Sequence, residues 1–441
     1  MSDVRCQMSD VRCQMSDVRG RRVRFFVGFI QFLALSFESR RSASRCRHGC
    51  DEMRAVRNSR SSPIVHIWVP DIDSAKGGIQ AFSRFFVRAV TEVFPTAQVA
   101  VFSKNDPAPP ERELSARSVR FDCTGWWPAG QRTVAFTRLL LANALRERPD
   151  LTVSTHVNFA QVGYWLRKLT GARFAAVAHG VDVWGGDVHG FRARGMLRAL
   201  KAADRVLAVS NFTRERLIAD AGLQPDRVAV LPNTFDEQRF VPGPKPHFLL
   251  RRFGLRGDER VILTVARLAS AERYKGYDQV LRVLPAVRRA VPSVRYILAG
   301  AGPDRGRVEE MIRAQRLENW VTLAGYVPDH ELPAFYKLAD VFAMPSKGEG
   351  FGIVFLEALA CGKPVIAGNK DGSVDALLGG NAGVLIDPDD LDELEQALIL
   401  TLRQQHPLPI LRQPDELRKA VVEAYGFGAF REAVGRKLTF A

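Results

Sequence analysis

From Pro63 onward the chain alternates short β-branched runs with longer amphipathic stretches. Residues 64–69 read as a strand, 70–76 as a polar loop, Gly77-Gly78 as a turn and 79–94 as a helix. Strand-like runs recur at 99–102, 151–154, 174–178, 206–210 and 228–231, with helical patterns between them. Such alternation predicts an α/β fold whose parallel sheet is covered by helices on both faces. A proline-rich passage at 241–246 reads as a hinge, and the pattern then restarts. Strands are expected at 261–266, 294–299, 321–324, 341–344, 365–367 and 384–386, giving a second doubly wound, Rossmann-like domain. The expected organisation is a leader at 1–62, a first domain at 63–240 and a second at 241–414.

The leader does not conform. Residues 1–19 repeat the heptamer MSDVRCQ without drift, whereas stacking repeats need roughly 20 to 50 residues each. The apolar run at 23–37 is shorter than the roughly 20 residues that cross a bilayer. Cys46, His48 and Cys50 have no second ligand pair at a zinc-site spacing. We read 1–62 as duplicated, disordered sequence.

Composition changes this picture little. Of 441 residues, 46% are apolar and 25% charged, which excludes disordered and fibrous classes for the body of the chain. Net charge is +15, and about half of it sits in the leader, where thirteen arginines face six acidic residues. The remainder suits anionic partners such as phosphates, nucleotide diphosphates, acidic lipid headgroups or nucleic acid and by itself chooses none of them, and no nucleic-acid partner is expected. The six cysteines form no visible disulfide framework, which points to a reducing, cytoplasmic compartment.

Ligands of doubly wound sheets bind outside the carboxyl ends of the strands, so the chemistry is sought there. In the first domain those positions hold Gly77, Gly78 and Gln80, then His156 with Asn158, then His179 before Gly180. Glycines at a helix start let amides approach an oxyanion. Asp71 and Asp73 precede the glycine turn and read as solvated. In the second domain Arg267 ends the first strand and Lys275 lies eight residues on. A planar fork and a point charge together clamp a diphosphate, unless Glu272 neutralises both. Gly300 and Gly302 resemble a dinucleotide fingerprint, but the third glycine is late and the next strand brings no acidic ribose ligand, so they read as a tight turn.

The segment 345–364 is the most informative. Gly348, Gly350 and Gly352 form a loop, Phe351 lies within it, and Ile353 opens an apolar helix. Glu349 sits in the loop and Glu357 on that helix, where a carboxylate needs a partner such as a pair of ribose hydroxyls.

Taken in order, Gly77-Gly78, His179-Gly180, Arg267 with Lys275, and Glu349 eight residues before Glu357 resemble the retaining family 4 glycosyltransferases, over the whole body from about Ile64. The resemblance implies a GT-B fold, two Rossmann-like domains facing a central cleft, with 415–441 as a helix crossing back to the first. It also implies that Arg267 and Lys275 hold the donor diphosphate, Glu357 the ribose and Glu349 the sugar hydroxyls. The Gly78 amide would hold a phosphate oxygen, and His179 would lie near the sugar's C6 hydroxyl. Gly350, Phe351, Gly352 and Ile353 complete the donor side, and Gly77, Gln80, His156 and Asn158 face the acceptor. The family's usual Gly-Gly-x-Pro-Glu is replaced by Lys370-Asp-Gly-Ser-Val-Asp375.

The expected activity is therefore hexosyl transfer from a nucleotide sugar to a glycan or lipid-linked acceptor in polysaccharide or glycolipid synthesis. Gly77-Gly-Ile-Gln80 is similar to the opening of bacterial mannosyltransferases, which favours GDP-mannose over UDP-glucose or UDP-galactose. No residue has the spacing of a nucleophile with its base, so attack on the same face is expected. No cofactor and no metal are expected, because the cations and glycine amides neutralise the diphosphate. Arg192, Arg194, Arg198 and Lys201 offer peripheral contact to the inner face of a membrane. Two alternatives are an NAD-dependent oxidoreductase, which needs the missing ribose ligand, and a non-catalytic sugar-nucleotide binder.

Overall fold

The computed structural model describes residues 62–75, 77–110, 119–184 and 191–439. The expectations for the leader, Cys46, His48 and Cys50 included, lie outside these residues, as does the side chain of Arg192.

The first sheet is wholly parallel, with strands in the order β3-β2-β1-β4-β5-β6-β7. Its strands are β1 (Ile64–Val69), β2 (Gln98–Ser103), β3 (Arg120–Cys123), β4 (Leu151–Ser154), β5 (Arg173–Ala178), β6 (Arg205–Ala208) and β7 (Val228–Val230). Helices α1 (Gly78–Val93), α2 (Ala129–Glu147), α3 (Ala160–Thr170), α4 (Val181–Trp184), α5 (Phe191–Lys201) and α6 (Asn211–Ala219) connect them. Both faces of β1 are buried: Val65, Ile67 and Val69 pack with Phe82, Phe86 and Val90 of α1, and Trp68 packs with Ala100 and Phe102. A strand covered on both sides needs a nearly continuous apolar run, which is why its sequence was legible. β3 was not predicted. Arg120-Phe-Asp-Cys lies at the sheet edge, partly exposed, and carries no apolar run.

The second sheet, also parallel, has the order β10-β9-β8-β11-β12-β13. It contains β8 (Arg260–Val265), β9 (Val294–Ala299), β10 (Val321–Gly325), β11 (Val341–Met344), β12 (Val365–Gly368) and β13 (Val384–Ile386). Its helices are α7 (His247–Arg252), α8 (Tyr277–Ala290), α9 (Arg305–Ala314), α10 (Leu332–Leu338), α11 (Ile353–Ala360), α12 (Ser373–Ala376) and α13 (Leu391–Leu402).

The closing segment is two helices, where one was expected. α14 (Pro414–Tyr425) and α15 (Phe427–Leu438) break at Gly426, whose extended backbone (φ −60°, ψ 163°) leaves the helix. α14 packs on the second lobe, where the edge of the Tyr425 ring meets Phe351 at 5.3 Å. α15 returns to the first, with Phe430 edge-on to Phe82 at 5.7 Å and Arg431 bonded to Glu92 at 3.1 Å. Among the described residues no helix is long and apolar enough to cross a membrane.

Candidate active site

On the second lobe, Arg267 follows the carboxyl end of β8 and a short 3-10 helix, Ser270–Lys275, brings Lys275 back beside it. Gly276 has φ 83°, and a Cβ there would lie 2.3 Å from the Pro345 carbonyl oxygen. Only glycine permits that approach, and the approach carries Lys275 to the loop after β11. The Lys275 ammonium donates to Glu349 Oε2 at 2.9 Å and lies 3.9 Å from Glu272 Oε2. Glu272 Oε1 meets Arg267 at 2.5 Å. Arg267, Glu272, Lys275 and Glu349 thus form one chain of ion pairs. Glu272 does bind both cations, but unequally, since the Arg267 side chain remains 79% exposed and that of Lys275 15%. Burial opposes the Lys275 charge; Glu349, Tyr274 and Glu272 outweigh it and hold its pKa above the usual lysine value.

The glycine loop is built on Asp371, which the sequence pattern did not single out. Its buried carboxylate accepts from the Glu349 amide at 2.7 Å, Ser346 Oγ at 2.7 Å and the Ser373 amide at 3.0 Å. Gly352 (φ 87°) then starts α11, whose first amides have no side-chain cap. Glu357 lies further along α11 and accepts from the Tyr336 hydroxyl at 2.7 Å. Burial raises its pKa to about 7, against the pull of Tyr336 and Arg239.

On the first lobe Gly77 caps α1, and a Cβ on Gly78 would stand 3.5 Å from Ile353 Cδ1 across the cleft. Gln80 reaches back over the turn, its Oε1 2.9 Å from a Cβ on Gly77. His179 Nε2 lies 2.8 Å from the Thr155 carbonyl oxygen, which can only accept, so Nε2 carries the proton and Nδ1 the lone pair. Burial drives the His179 pKa down to about 4, so the ring is neutral at pH 7. His156 lies beside it, ring centres 6.2 Å apart, with Nδ1 accepting from the exposed Asn158 amide and Nε2 4.0 Å from Asp182.

The lobes touch at these residues. A Cβ on Gly350 would fall 1.8 Å from the His179 carbonyl oxygen, and Thr213 Oγ1 donates to the Gly350 carbonyl at 3.4 Å. Asp375 of the second lobe accepts from the Asn211 amide at 3.1 Å and from its side chain at 2.5 Å, at the start of α6 of the first, whose N-cap is Ser210. Asp371 and Asp375 both belong to the stretch that departs from the family's usual motif.

Asp71 corrects an expectation. It is 5% exposed, with Oδ2 accepting from Asn105, while Asp73 pairs with Arg84 at the surface. Next to it, Lys104 follows β2, and Arg132 in the first turn of α2 donates to the carbonyls of Gly125 and Trp127. Gly125 packs on the backbone of Asn105 and Asp106, which brings the two cations together, and their charges repel. Among the described residues neither has a carboxylate partner.

Two facing Rossmann-like lobes with cations at the carboxyl end of the second sheet define the GT-B class of glycosyltransferases. Residues 248–423 match the model of the glycosyl transferases group 1, and residues 85–239 match that of glycosyltransferase family 4. The chain is 32% identical over 341 residues to a GDP-mannose-dependent alpha-(1-6)-phosphatidylinositol monomannoside mannosyltransferase of Mycolicibacterium smegmatis, covering 74% of this chain and 86% of that one. A D-inositol 3-phosphate glycosyltransferase of Kineococcus radiotolerans is 31% identical over 258 residues, 55% of this chain and 58% of the relative. Among solved structures, Anabaena Alr3699/HepE in complex with UDP and glucose superposes with a TM-score of 0.69 at 19% identity, covering 86% of this chain and all of that one. The chain belongs to the family 4 glycosyltransferases.

Proposed function

We propose that this protein transfers a mannosyl group from GDP-mannose, with retention and without a bound metal, to a phosphate-bearing glycolipid or glycan acceptor. The observation that carries the reading is the ion-pair chain from Arg267 to Glu349, in contact distance of the His179 lobe. In the resting state each cation is neutralised by a carboxylate. A donor diphosphate would replace those carboxylates as counter-charge, leaving Glu349 free to accept from sugar hydroxyls. Transfer breaks the bond between C1 and the diphosphate oxygen and forms one to the acceptor oxygen on the same face. The acceptor's proton passes to the leaving phosphate. His179, neutral and weakly basic, offers Nδ1 as a hydrogen-bond acceptor and does not serve as the base.

Two further features support the donor and the acceptor. The Mycolicibacterium relative is by name GDP-mannose-dependent and acts on a phosphatidylinositol monomannoside. On the first lobe Lys104, with Arg132 next to it, presents an unneutralised cation near His156, which suits a phosphate on the acceptor.

The test compares GDP-mannose, UDP-glucose and UDP-galactose in a thermal-shift and transfer assay with EDTA present, on the wild type and Lys275→Ala. GDP-mannose should give the largest shift. Lys275→Ala should lose roughly 2 to 5 kcal/mol of transition-state stabilisation, a rate drop of about 30-fold or more. Full turnover by Lys275→Ala, or a shift with neither nucleotide, would contradict the assignment.

A further inference from the structure

At the opposite end of the second sheet lies a cavity of about 170 Å³. It opens where β8, β11 and β12 begin, so the length of β8, about 20 Å at 3.3 Å per residue, separates it from Lys275 and Glu349. Its walls come from separate elements: Arg260 at the start of β8, Lys363 just before β12, Thr401 on α13, and His406 and Arg412 in the connection to α14.

Every one of these side chains offers a hydrogen-bond donor. Thr401 is 6% exposed, and its Oγ1 has no hydrogen-bond partner. Lys363 makes no side-chain hydrogen bond or ion pair within 4 Å among the described residues, and burial pushes its pKa below the usual lysine value. His406 Nδ1 accepts from the Leu408 amide at 3.2 Å, which leaves the Nε2 hydrogen of the neutral ring unengaged. The one lining carboxylate, Asp340, is already bonded to Lys245 at 2.6 Å, to the Val261 amide at 2.7 Å and to Arg260 at 3.2 Å. Of the three lining cations, Arg260 shares this carboxylate, while Lys363 and Arg412 have no carboxylate partner among the described residues and Arg412 donates from one nitrogen to the His406 carbonyl at 2.7 Å. A buried hydroxyl and a half-buried ammonium left unpartnered each cost free energy, and a guest with two negative charges and several acceptor oxygens offsets both penalties.

We propose that this cavity is a second anion site, separate from the donor cleft, which binds the phosphoryl group of a small molecule through Lys363, Thr401, His406 and Arg412. Its place in the fold gives the site a use. Lys245 belongs to the hinge at 241–246, and Pro414, which lines the cavity, starts the helix that leads the chain back to the first lobe. The guest sits beside the hinge contact of Lys245 and the first turn of the helix that leads towards the return crossing at Gly426.

Calorimetric titration of the full chain with inorganic phosphate, repeated with sodium chloride at equal ionic strength, tests this. Wild type and Lys275→Ala should bind phosphate with the same affinity, and chloride should give no saturable heat. Lys363→Met and Thr401→Val should each weaken phosphate at least fivefold while keeping the wild-type melting temperature and GDP-mannose affinity. Arg412→Gln, an exposed position, is the second variant should Lys363→Met fail to fold, and should weaken phosphate likewise. Equal phosphate binding by Lys363→Met and Arg412→Gln, or its loss in Lys275→Ala, overturns the proposal, the latter by assigning the anion to the donor cleft.

Discussion

Glu357 shows how one residue's surroundings set its chemistry. An isolated carboxyl titrates near 4.5, and in the apolar helix α11 burial lifts this value to about 7. The folded chain then holds the proton more tightly than the unfolded chain. The stability this confers is complete below pH 4.5 and is lost as pH rises through 7, a decline on the order of 3 kcal/mol. Denaturant melts of wild type and Glu357→Gln between pH 5 and 8 should show this slope in the wild type only, and parallel curves would rule it out. If the carboxylate accepts from ribose hydroxyls, donor affinity should rise with pH up to about 7 and level off, with Glu357→Gln flat and roughly tenfold weaker. The sequence exposed the oddity of an acidic residue in that helix. It did not disclose Tyr336, 21 positions away, as the resting partner.

At the scale of elements, the glycine loop and α11 are held by groups that no local pattern links. Gly350 rests on His179 from the other lobe, and Asp371 gathers the loop's amides and hydroxyls. A methyl group at residue 350 would sit 1.8 Å from the His179 carbonyl oxygen, inside any allowed contact. Gly350→Ala should therefore lower kcat by at least tenfold while nucleotide affinity, which we assign to the second lobe in the proposed function, changes less than threefold. Isothermal titration with GDP beside a transfer assay separates the two, and an unchanged kcat would show that the contact plays no part in turnover. The buried strands were legible because their apolar runs are unbroken. The edge strand β3 was not, since a partly exposed Arg-Phe-Asp-Cys resembles any loop.

For the whole molecule, named links join the lobes, Arg418 donating to the Glu237 carbonyl at 2.7 Å and Thr213 to the Gly350 carbonyl at 3.4 Å among them. Asp375 binds Asn211 at the start of α6 from across the cleft, and α15 packs Phe430 against Phe82. Hydrogen bonds to a charged group contribute about 1.5 to 3 kcal/mol, enough to shift an opening equilibrium more than tenfold without unfolding either lobe. Asp375→Ala should enlarge the radius of gyration in small-angle scattering and slow transfer, with Asp375→Asn partly restoring both. Identical scattering curves for the wild type and Asp375→Ala would remove this link from the account of closure.

The chain's periodicity by itself determined two parallel sheets wrapped in helices, because a strand buried on both faces must be apolar and a covering helix must be amphipathic. Its glycines and charges marked the strand ends where we propose that a diphosphate binds. Only the tertiary structure decided the partners: Glu272 bridging Arg267 and Lys275, Asp371 under the loop, Tyr336 on Glu357, and Asp375 on α6. Hydrogen bonds and ion pairs act over a few ångströms in space whatever their separation along the chain. Local pattern therefore fixes which surfaces are buried, and folding fixes which polar groups meet.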